Sequence, residues 1–249
     1  MDREKKMFGE CYKCIQGEGK YVGIPHILIR LNGCRLRCQW GRYNFCDTSY
    51  ASWKPEKNSI SWNDLIKLYN ENPHIKYTMI TGGGPTLQPE LLKELCVVAK
   101  QYNHFITIET EGSEYVQTVA DFISLSPKLE SSRPIPNSFN HLINRQVTDI
   151  DLYRHEEWRK NYKAMQRLIY GHKDYQLKPV ITCLKDLKEV KEIQDILRIS
   201  NDKVYLMPEG ITNEQLQKNR ELLFDICLNE GYNYSDRLQV IVYGDKRGV

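Results

Sequence analysis

Short apolar runs alternate with longer amphipathic runs along most of the chain. Apolar runs bounded by turn residues predict β-strands, and apolar residues spaced three and four apart predict helices. The predicted strands are residues 26–31, 77–81, 105–108, 122–125, 176–182, 204–206 and 237–243. The predicted helices begin near Ser61, where Asp64 completes a capping pattern, at 89–102, between 108 and 122, at 186–199 and at Thr212. The alternation predicts an α/β fold with a parallel sheet, either a partial (β/α) barrel or a doubly wound sheet.

The pattern loosens between residues 130 and 173. Its first part has the composition of a loop, and residues 153–170 predict an exposed amphipathic helix with a solvated charged face. No repeat, low-complexity linker or break in composition divides the sequence. We therefore predict a single domain over residues 1–249.

Composition and charge narrow the classes of function only a little. The 249 residues carry a net charge of +3, with 35 basic and 32 acidic residues interspersed, and we predict no nucleic-acid partner. Residues 1–10 lack the apolar core of a signal peptide, and no apolar stretch approaches the roughly 20 residues of a membrane span. The sequence therefore predicts a cytoplasmic protein with reduced thiols and no membrane partner.

Three cysteines follow the first predicted strand closely: Cys34, Cys38 and Cys46. Three thiolates in one loop can hold three irons of a cuboidal iron-sulfur cluster and leave the fourth iron open to a chelating small molecule. Zinc and a disulfide with one spare thiol are the alternatives. A structural zinc site needs four ligands, and no second cysteine pair or histidine lies nearby. The loop therefore favours a cluster.

The other cysteines carry less information. Cys96, Cys183 and Cys227 lie in apolar runs, so we expect them in the core. Cys11 and Cys14 form a C-x-x-C pair, but no second pair accompanies it, and we expect no metal or redox role.

Most of the residues that could have a chemical role come directly after predicted strands. The cysteine loop, residues 82–85, 109–110, 126–128 and 207–209 and the C-terminal tail share this position. In parallel folds the C-terminal ends of the strands meet on one face, where sites are built, so we expect the active site there.

Several of these residues have an evident chemical use. Gly82 and Gly83 allow a ligand to approach the backbone closely, although a plain strand-to-helix turn is the alternative. Gln16 and Glu18 offer an amide and a carboxylate that suit the edge of a heterocycle. A buried Arg30 needs an anion, either a substrate carboxylate or a distant carboxylate of the fold. Asp47 and Thr48 are oxygen ligands suited to Mg²⁺, with capping as the alternative.

The motifs together resemble one family over nearly the whole chain, most weakly between residues 132 and 175. They are, in chain order, IQGEG, GCRLRCQW, CDTSY, TGGGP, IETEGS, SLSPKLESS, QLKPVI, LMPEG and YGDKRGV. The sequence resembles the 7-carboxy-7-deazaguanine synthases, radical S-adenosylmethionine (SAM) enzymes of queuosine and 7-deazapurine biosynthesis.

The resemblance implies a homodimeric, shortened (β/α) barrel of the radical SAM type that contracts 6-carboxy-5,6,7,8-tetrahydropterin to 7-carboxy-7-deazaguanine with loss of ammonia. It implies a 4Fe-4S cluster on Cys34, Cys38 and Cys46, SAM on the open iron, and flavodoxin or ferredoxin as electron donor. Gln16, Glu18, Arg30 and the Val249 carboxylate would contact the pterin. Thr48 would help to hold Mg²⁺. The SAM site would be lined by Gly83, Gly84, Glu109, Ser126 and Lys128.

Two features depart from that resemblance. The family spacing is C-x3-C-x2-C, whereas five inserted residues, GRYNF, give C-x3-C-x7-C here, at about 1 kcal/mol of closure entropy. The second departure is GGGP, since radical SAM proteins commonly carry an acidic residue before this proline. Two other functions therefore stay open: a radical SAM enzyme of the glycyl-radical activase type, and a non-catalytic binding protein. The predicted final strand, 237–243, would deliver the tail and Val249 to the pocket.

Overall fold

The computed structural model describes residues 4–42 and 44–249. Within these residues the strands are β1 Lys6–Phe8, β2 Glu10–Ile15, β3 Pro25–Leu31, β4 Gln39–Trp40, β5 Asn44–Phe45, β6 Ile60–Ser61, β7 Tyr77–Gly82, β8 Phe105–Thr110, β9 Phe122–Leu125, β10 Phe139–Asn140, β11 Arg145–Gln146, β12 Asp174–Leu177, β13 Val180–Ile181, β14 Tyr205–Pro208 and β15 Asn233–Tyr234. The helices are α1 Trp62–Glu71, α2 Pro89–Gln101, α3 Asp149–Arg159, α4 Tyr162–Tyr170, α5 Lys185–Leu197, α6 Asn213–Glu230 and α7 Leu238–Tyr243.

The main sheet is parallel and follows the order of the chain. Strands β3, β7, β8, β9 and β12 lie side by side, and β2 pairs antiparallel with β3 at the edge. Strands β13, β14 and β15 continue in parallel, and a bridge between Leu177 and Val204 joins them to β12. A doubly wound sheet would reverse its strand order at a switch point. This order never reverses, and the sheet forms a partial (β/α) barrel.

The core joins the strands to the helices. It contains β-strand residues Ile27, Ile29, Ile80, Ile106 and Ile108 and helical residues Leu65, Leu92, Leu95, Met165 and Leu168. Helix α1 begins with the predicted capping box, because Ser61 and Asp64 each accept from the other's backbone N–H. Cys96 and Cys227 are buried as expected, but Cys183 is exposed in the turn before α5, so its predicted core position is wrong.

The predicted strand 176–182 is divided at Lys178 and Pro179. Proline has no N–H to give to a ladder, so β12 ends at Leu177 and β13 begins at Val180. The Lys178 N–H still donates to Leu125 O at 2.7 Å, and Pro179 O accepts from Met207 N at 3.2 Å. The break turns the Lys178 side chain inward, where it is 1% exposed.

The predicted last strand, 237–243, is wrong, because this segment forms α7. Strand β15 already occupies the last parallel position, and the N–H groups of Val240 and Ile241 bond to Arg237 O. Only Val240 of the β-branched run is buried, so no sheet neighbour favours an extended backbone there. Gly244, at φ +65°, ends the helix.

The loosely patterned region is also more ordered than predicted. Residues 153–170 do not form one exposed helix, since α3 ends at Arg159 and Asn161 caps α4 by accepting from Ala164 N. Four residues of α4, Ala164, Met165, Leu168 and Ile169, are buried. The short helix predicted between residues 108 and 122 does not form. In the described part of the chain no helix is both long and apolar enough to cross a bilayer.

Candidate active site

A cavity of about 520 Å³ opens at the C-terminal ends of the parallel strands. All the predicted site residues except Gly84 line it: Gln16, Glu18, Arg30, Cys34, Cys38, Cys46, Thr48, Gly83, Glu109, Ser126, Lys128 and Val249. These residues come from segments that are far apart in sequence. The fold therefore brings them to the one face on which we expected the site.

The inserted residues after Cys38 form a small hairpin. Strands β4 and β5 pair antiparallel, with Gln39 opposite Phe45, and the Cys46 N–H donates to Cys38 O at 3.2 Å. The chain thus returns to its starting point, and the hairpin brings the third cysteine beside the second in spite of the longer spacing. Tyr43, within the insertion, lies outside the described residues.

The three cysteines fit a cluster better than a single ion. All three are free thiols on the cavity wall, and burial raises the pKa of each thiol above its usual value. Metal binding would release these protons. In the described part of the chain no three His, Cys, Asp or Glu residues converge on one point to hold a single ion. A cuboidal cluster needs one thiolate at each iron that the protein holds, and three cysteines on one cavity wall can supply three.

Helix α3 supports the cysteine loop, a contact that the sequence did not indicate. Burial, with Arg159 nearby, lowers the pKa of His155 to about 3, so its ring is neutral near pH 7. The ring accepts from the Arg37 N–H at 3.1 Å through Nδ1, and its other nitrogen lies 3.3 Å from Ser132 Oγ. The guanidinium of Arg35 lies 3.8 Å from the centre of the Trp158 ring. These contacts fix the loop between the first two cysteines.

The glycine turn after β7 packs directly on the start of the cysteine loop. Gly84 N donates to Gly33 O at 2.7 Å, and a Cβ at Gly83 would lie 2.3 Å from the oxygens of Gly33 and Ala51. Only glycine fits at position 83. Gly84 is buried behind the cavity wall, and a Cβ there would lie 2.8 Å from a carboxylate oxygen of Glu111.

Two neighbouring strands supply the remaining residues predicted to line the SAM site. Ser126 and Lys128 follow β9, and Lys128 donates to Ser126 Oγ at 2.8 Å. Glu109 lies near the end of β8 and accepts from Lys178. Glu109 Oε1 lies 2.5 Å from Lys178 Nζ, so this carboxylate already has a cationic partner.

Glu18 is the centre of a buried network of charges. It accepts from Lys178, from Arg237 Nε at 3.0 Å and from Gln239 Nε2 at 2.7 Å. Burial alone would raise the pKa of Glu18, but Lys178 and Arg237 outweigh it and hold this pKa well below its usual range. The neighbouring Gln16 is also fixed, because its side chain contacts Met79 Sδ at 3.0 Å.

The start of α7 docks on the turn that carries Gln16 and Glu18. Leu238 N donates to Gly17 O at 2.9 Å, and Gly19 N donates to Ser235 Oγ at 2.8 Å. The mispredicted segment therefore has a role at the site, since it brings Arg237 and Gln239 to Glu18.

Arg30 has a partner within the fold. Its Nε lies 2.6 Å from Glu10 Oε2, across the β2–β3 ladder in which the two residues are directly opposite. The fold therefore supplies the distant carboxylate that was one of the two expected anions. Arg30 also lines the cavity, so the predicted contact with a substrate carboxylate stays a prediction.

The tail returns to this corner of the cavity. Arg247 contacts both Glu56 oxygens at 3.0 and 2.9 Å and Glu10 Oε1 at 2.5 Å, and its guanidinium lies 3.5 Å from the centre of the Tyr50 ring. Val249 follows on the cavity wall. The tail reaches the pocket as expected, although it does so from a helix and not from a strand.

Thr48 and Asp47 lie at the edge of the cavity beside the third cysteine. The Thr48 hydroxyl donates to Asp47 Oδ1 at 2.8 Å, and Arg237 contacts Asp47 Oδ2 at 2.7 Å. Arg237 holds the pKa of Asp47 below its usual range against the opposing effect of burial. The negative charge of Asp47 is thus balanced by Arg237, whereas the oxygen lone pairs of Thr48 remain available to a metal ion.

The chain is similar in sequence to proteins of known function. No family model matches the chain. The 7-carboxy-7-deazaguanine synthase of Rhodopirellula baltica is 36% identical over 243 residues, which cover 98% of this chain and 88% of the relative. The synthase of Halobacterium salinarum is 31% identical over 248 residues, covering 95% of this chain and 90% of the relative.

The fold has a counterpart among solved structures. The crystal structure of QueE from Escherichia coli matches with a TM-score of 0.62 and 21% identity, and covers 94% of each chain. At this identity the match supports the fold, and the two curated relatives establish the family. The chain therefore belongs to the 7-carboxy-7-deazaguanine synthases.

Proposed function

We propose that this chain catalyses the radical SAM ring contraction of 6-carboxy-5,6,7,8-tetrahydropterin to 7-carboxy-7-deazaguanine, with loss of ammonia, in queuosine and 7-deazapurine biosynthesis. The observation that carries the proposal is a single cavity, in a chain of this family, that is lined both by the three cysteines of the loop and by Gln16, Glu18 and Arg30. We propose that it acts as a single radical SAM domain over residues 1–249.

Cys34, Cys38 and Cys46 would hold a 4Fe-4S cluster, and SAM would lie along Gly83, Gly84, Glu109, Ser126 and Lys128. Bound together, the cluster and SAM supply the hydrogen-abstracting chemistry that begins the reaction. The protein contributes orientation and exclusion of water. The hydrogen bond from Gly84 N to Gly33 O supports this arrangement, because it holds the glycine turn after β7 against the cysteine loop.

Substrate would be held on the opposite wall. The Gln16 and Glu18 turn would contact the polar edge of the pterin, and Arg30 would pair with its carboxylate. Glu18 is ionised near pH 7 because of Lys178 and Arg237, so it can accept hydrogen bonds from ring N–H groups. Val249, on the same wall, would complete the contacts.

Magnesium, the electron donor and the assembly belong to the same proposal. Thr48 would share Mg²⁺ with the substrate carboxylate and water, since its hydroxyl oxygen faces the cavity and Mg²⁺ keeps several waters. A response of turnover to Mg²⁺ that is lost in Thr48→Ala tests this.

Flavodoxin or ferredoxin would reduce the cluster in a cytoplasmic homodimer. Reduction assays with each donor test the first point, and light scattering tests the dimer.

One experiment separates the proposed function from its alternatives. The protein is reconstituted anaerobically with iron and sulfide, and SAM cleavage is measured with and without the pterin. Formation of 7-carboxy-7-deazaguanine supports the proposal. SAM cleavage that yields no pterin product would indicate a different radical SAM substrate, such as that of a glycyl-radical activase. No SAM cleavage would indicate a non-catalytic binding protein.

A further inference from the structure

Glu111 is a buried carboxylate that no function assigned so far uses. It follows β8, is 4% exposed and lines the cavity. Its partners are two hydroxyl groups: Ser113 Oγ donates to Oε1, and Thr110 Oγ1 donates to Oε2 at 3.3 Å. Both contacts come from adjacent residues of its own segment.

A cationic partner for Glu111 is absent from the described residues. Three other cavity carboxylates, Glu18, Asp47 and Glu109, each contact Lys178 or Arg237. Glu209 and Asp245 also line the cavity, but they are half-buried and exposed, respectively, so water can solvate them. Lys128 lies on the same wall, but it donates to Ser126 and forms no ion pair with Glu111 in the part of the chain described. Carboxylates this deeply buried are normally paired with a cation. Among the described residues, Glu111 is thus the fully buried cavity carboxylate that is left to accept a cation from a ligand.

The Glu111 carboxylate packs directly against Gly84. A Cβ at Gly84 would lie 2.8 and 3.1 Å from the two Glu111 oxygens. The carboxylate therefore occupies the position that a side chain at residue 84 would take. An acidic residue here would bring two carboxylates together, so the missing acid before Pro85 and the presence of Glu111 are linked.

The position also sets which cation fits. Gly84 N donates to Gly33 O, and Cys34, the first proposed cluster ligand, follows Gly33 directly. A cation at Glu111 would therefore lie beside the cysteine loop. A primary ammonium group is compact and donates three hydrogen bonds, which suits this corner.

We propose that Glu111 is a ligand-binding residue that holds the ammonium group of the amino-acid part of SAM on the cavity wall, in place of an acidic side chain at residue 84. This inference rests on the SAM-binding part of the proposed function. It assigns to Glu111 the contact that an acidic residue before the proline would otherwise make, and it accounts for the departure at GGGP.

Binding measurements without turnover test the assignment. Reconstituted, unreduced protein is titrated with SAM and with 5′-methylthioadenosine, which shares the nucleoside but lacks the amino-acid group. In Glu111→Gln the Kd for SAM should rise about tenfold or more, as expected for loss of a buried charge-assisted contact, and that for 5′-methylthioadenosine should stay within about twofold. Glu111→Asp, which keeps the charge, should lie between wild type and Glu111→Gln. Glu94→Gln, an exposed site on α2, is the matched control.

A relocation experiment asks whether the two positions are linked. Gly84→Glu alone should weaken SAM binding, because it crowds a second carboxylate against Glu111. The double variant Glu111→Ala with Gly84→Glu returns one carboxylate to the same space and should bind SAM more tightly than Glu111→Ala alone.

Each outcome decides the question. An unchanged Kd for SAM in Glu111→Gln overturns the assignment, and so does an equal loss for both ligands, which would indicate a structural role. If the wild type binds SAM but does not convert the pterin, the inference stands and the proposed substrate fails. If the wild type does not bind SAM, both fail.

Discussion

Lys178 Nζ lies 2.5 Å from Glu109 Oε1, and the same ammonium contacts Glu18 on the opposite side. One buried lysine therefore connects the proposed SAM wall to the proposed pterin wall. Both carboxylates raise the pKa of Lys178 above its usual value, although burial opposes them, so the bridge stays charged at working pH.

Lys178→Met should destabilise the protein strongly. The change leaves Glu18 and Glu109 without their shared cation, and breaking a buried pair in this way costs roughly 3–5 kcal/mol. Urea unfolding at pH 7 measures the loss. Lys188→Met, on the exposed face of α5, is the matched control and should change stability by less than about 0.5 kcal/mol. Equal effects in the two variants would contradict this role for the bridge.

The same network predicts how stability depends on pH. The pKa of Glu18 is lower in the folded protein than the usual value of about 4.3. Its contribution is therefore fully present above that usual value and is lost as pH falls through the lower, folded value. Wild type should keep this contribution at pH 5. In Lys178→Met the pKa of Glu18 should rise above the usual value, so protonation of this carboxyl favours the folded state and the loss of stability relative to wild type should be smaller at pH 5 than at pH 7, which unfolding curves at the two pH values would reveal.

Arg30→Lys should weaken binding of the pterin about tenfold or more, because lysine cannot form the two-pronged contact with a carboxylate. The KM for the pterin measures this, with SAM binding as the internal control. Glu10→Gln is an informative partner variant, since it removes the carboxylate that shares Arg30 and leaves the guanidinium more available to substrate. A pterin KM that is unchanged in Arg30→Lys would remove Arg30 from the substrate site.

Arg247→Gln should release the tail from the cavity wall. The variant loses the paired contacts with Glu56 and the stacking on Tyr50, which together hold residues 244–249 near Arg30. Hydrogen exchange of the tail should quicken, and pterin KM should rise while iron content stays the same. Lys246→Gln, at the exposed neighbouring position, should resemble wild type. Unaltered exchange in Arg247→Gln would show that other contacts hold the tail.

Replacing Cys34, Cys38 or Cys46 by alanine should abolish incorporation of iron on reconstitution. Cys183→Ala, at an exposed thiol, and Cys11→Ala should keep iron near the wild-type content. Neither Cys11 nor Cys183 lines the cavity, so neither should contact the cluster. Iron analysis checks all five proteins. Loss of iron in Cys11→Ala without loss of folding would undo the ligand assignment.

The sequence predicted the parallel sheet well because its strands are short apolar runs between clear turns. It failed at residues 237–243, where Ile241 and Val242 have strong strand propensity but no sheet neighbour. Local propensity does not reveal that β15 already occupies the last position in the sheet.

The site was predictable wherever its residues lay within motifs. Arg237 and Gln239 were missed because their partner, Glu18, is about 220 residues away in sequence, a contact that no local pattern records. Lys178 did carry a signal, since a lysine inside an apolar strand before proline needs a buried partner. His155 had no such signal, because its role is to receive one backbone N–H from a distant loop.

The hairpin between Cys38 and Cys46 separates the spacing of a metal motif from the geometry of its ligands. What brings the third thiol into position is the closing contact between Cys46 N and Cys38 O, and not the number of residues between them. A motif search that requires a fixed number of residues between the second and third cysteines would miss chains in which a hairpin of another length makes the same backbone contact. The base of the hairpin can thus stay constant while its tip varies, which makes this tip a place where a label or an added segment can be inserted without moving the thiols.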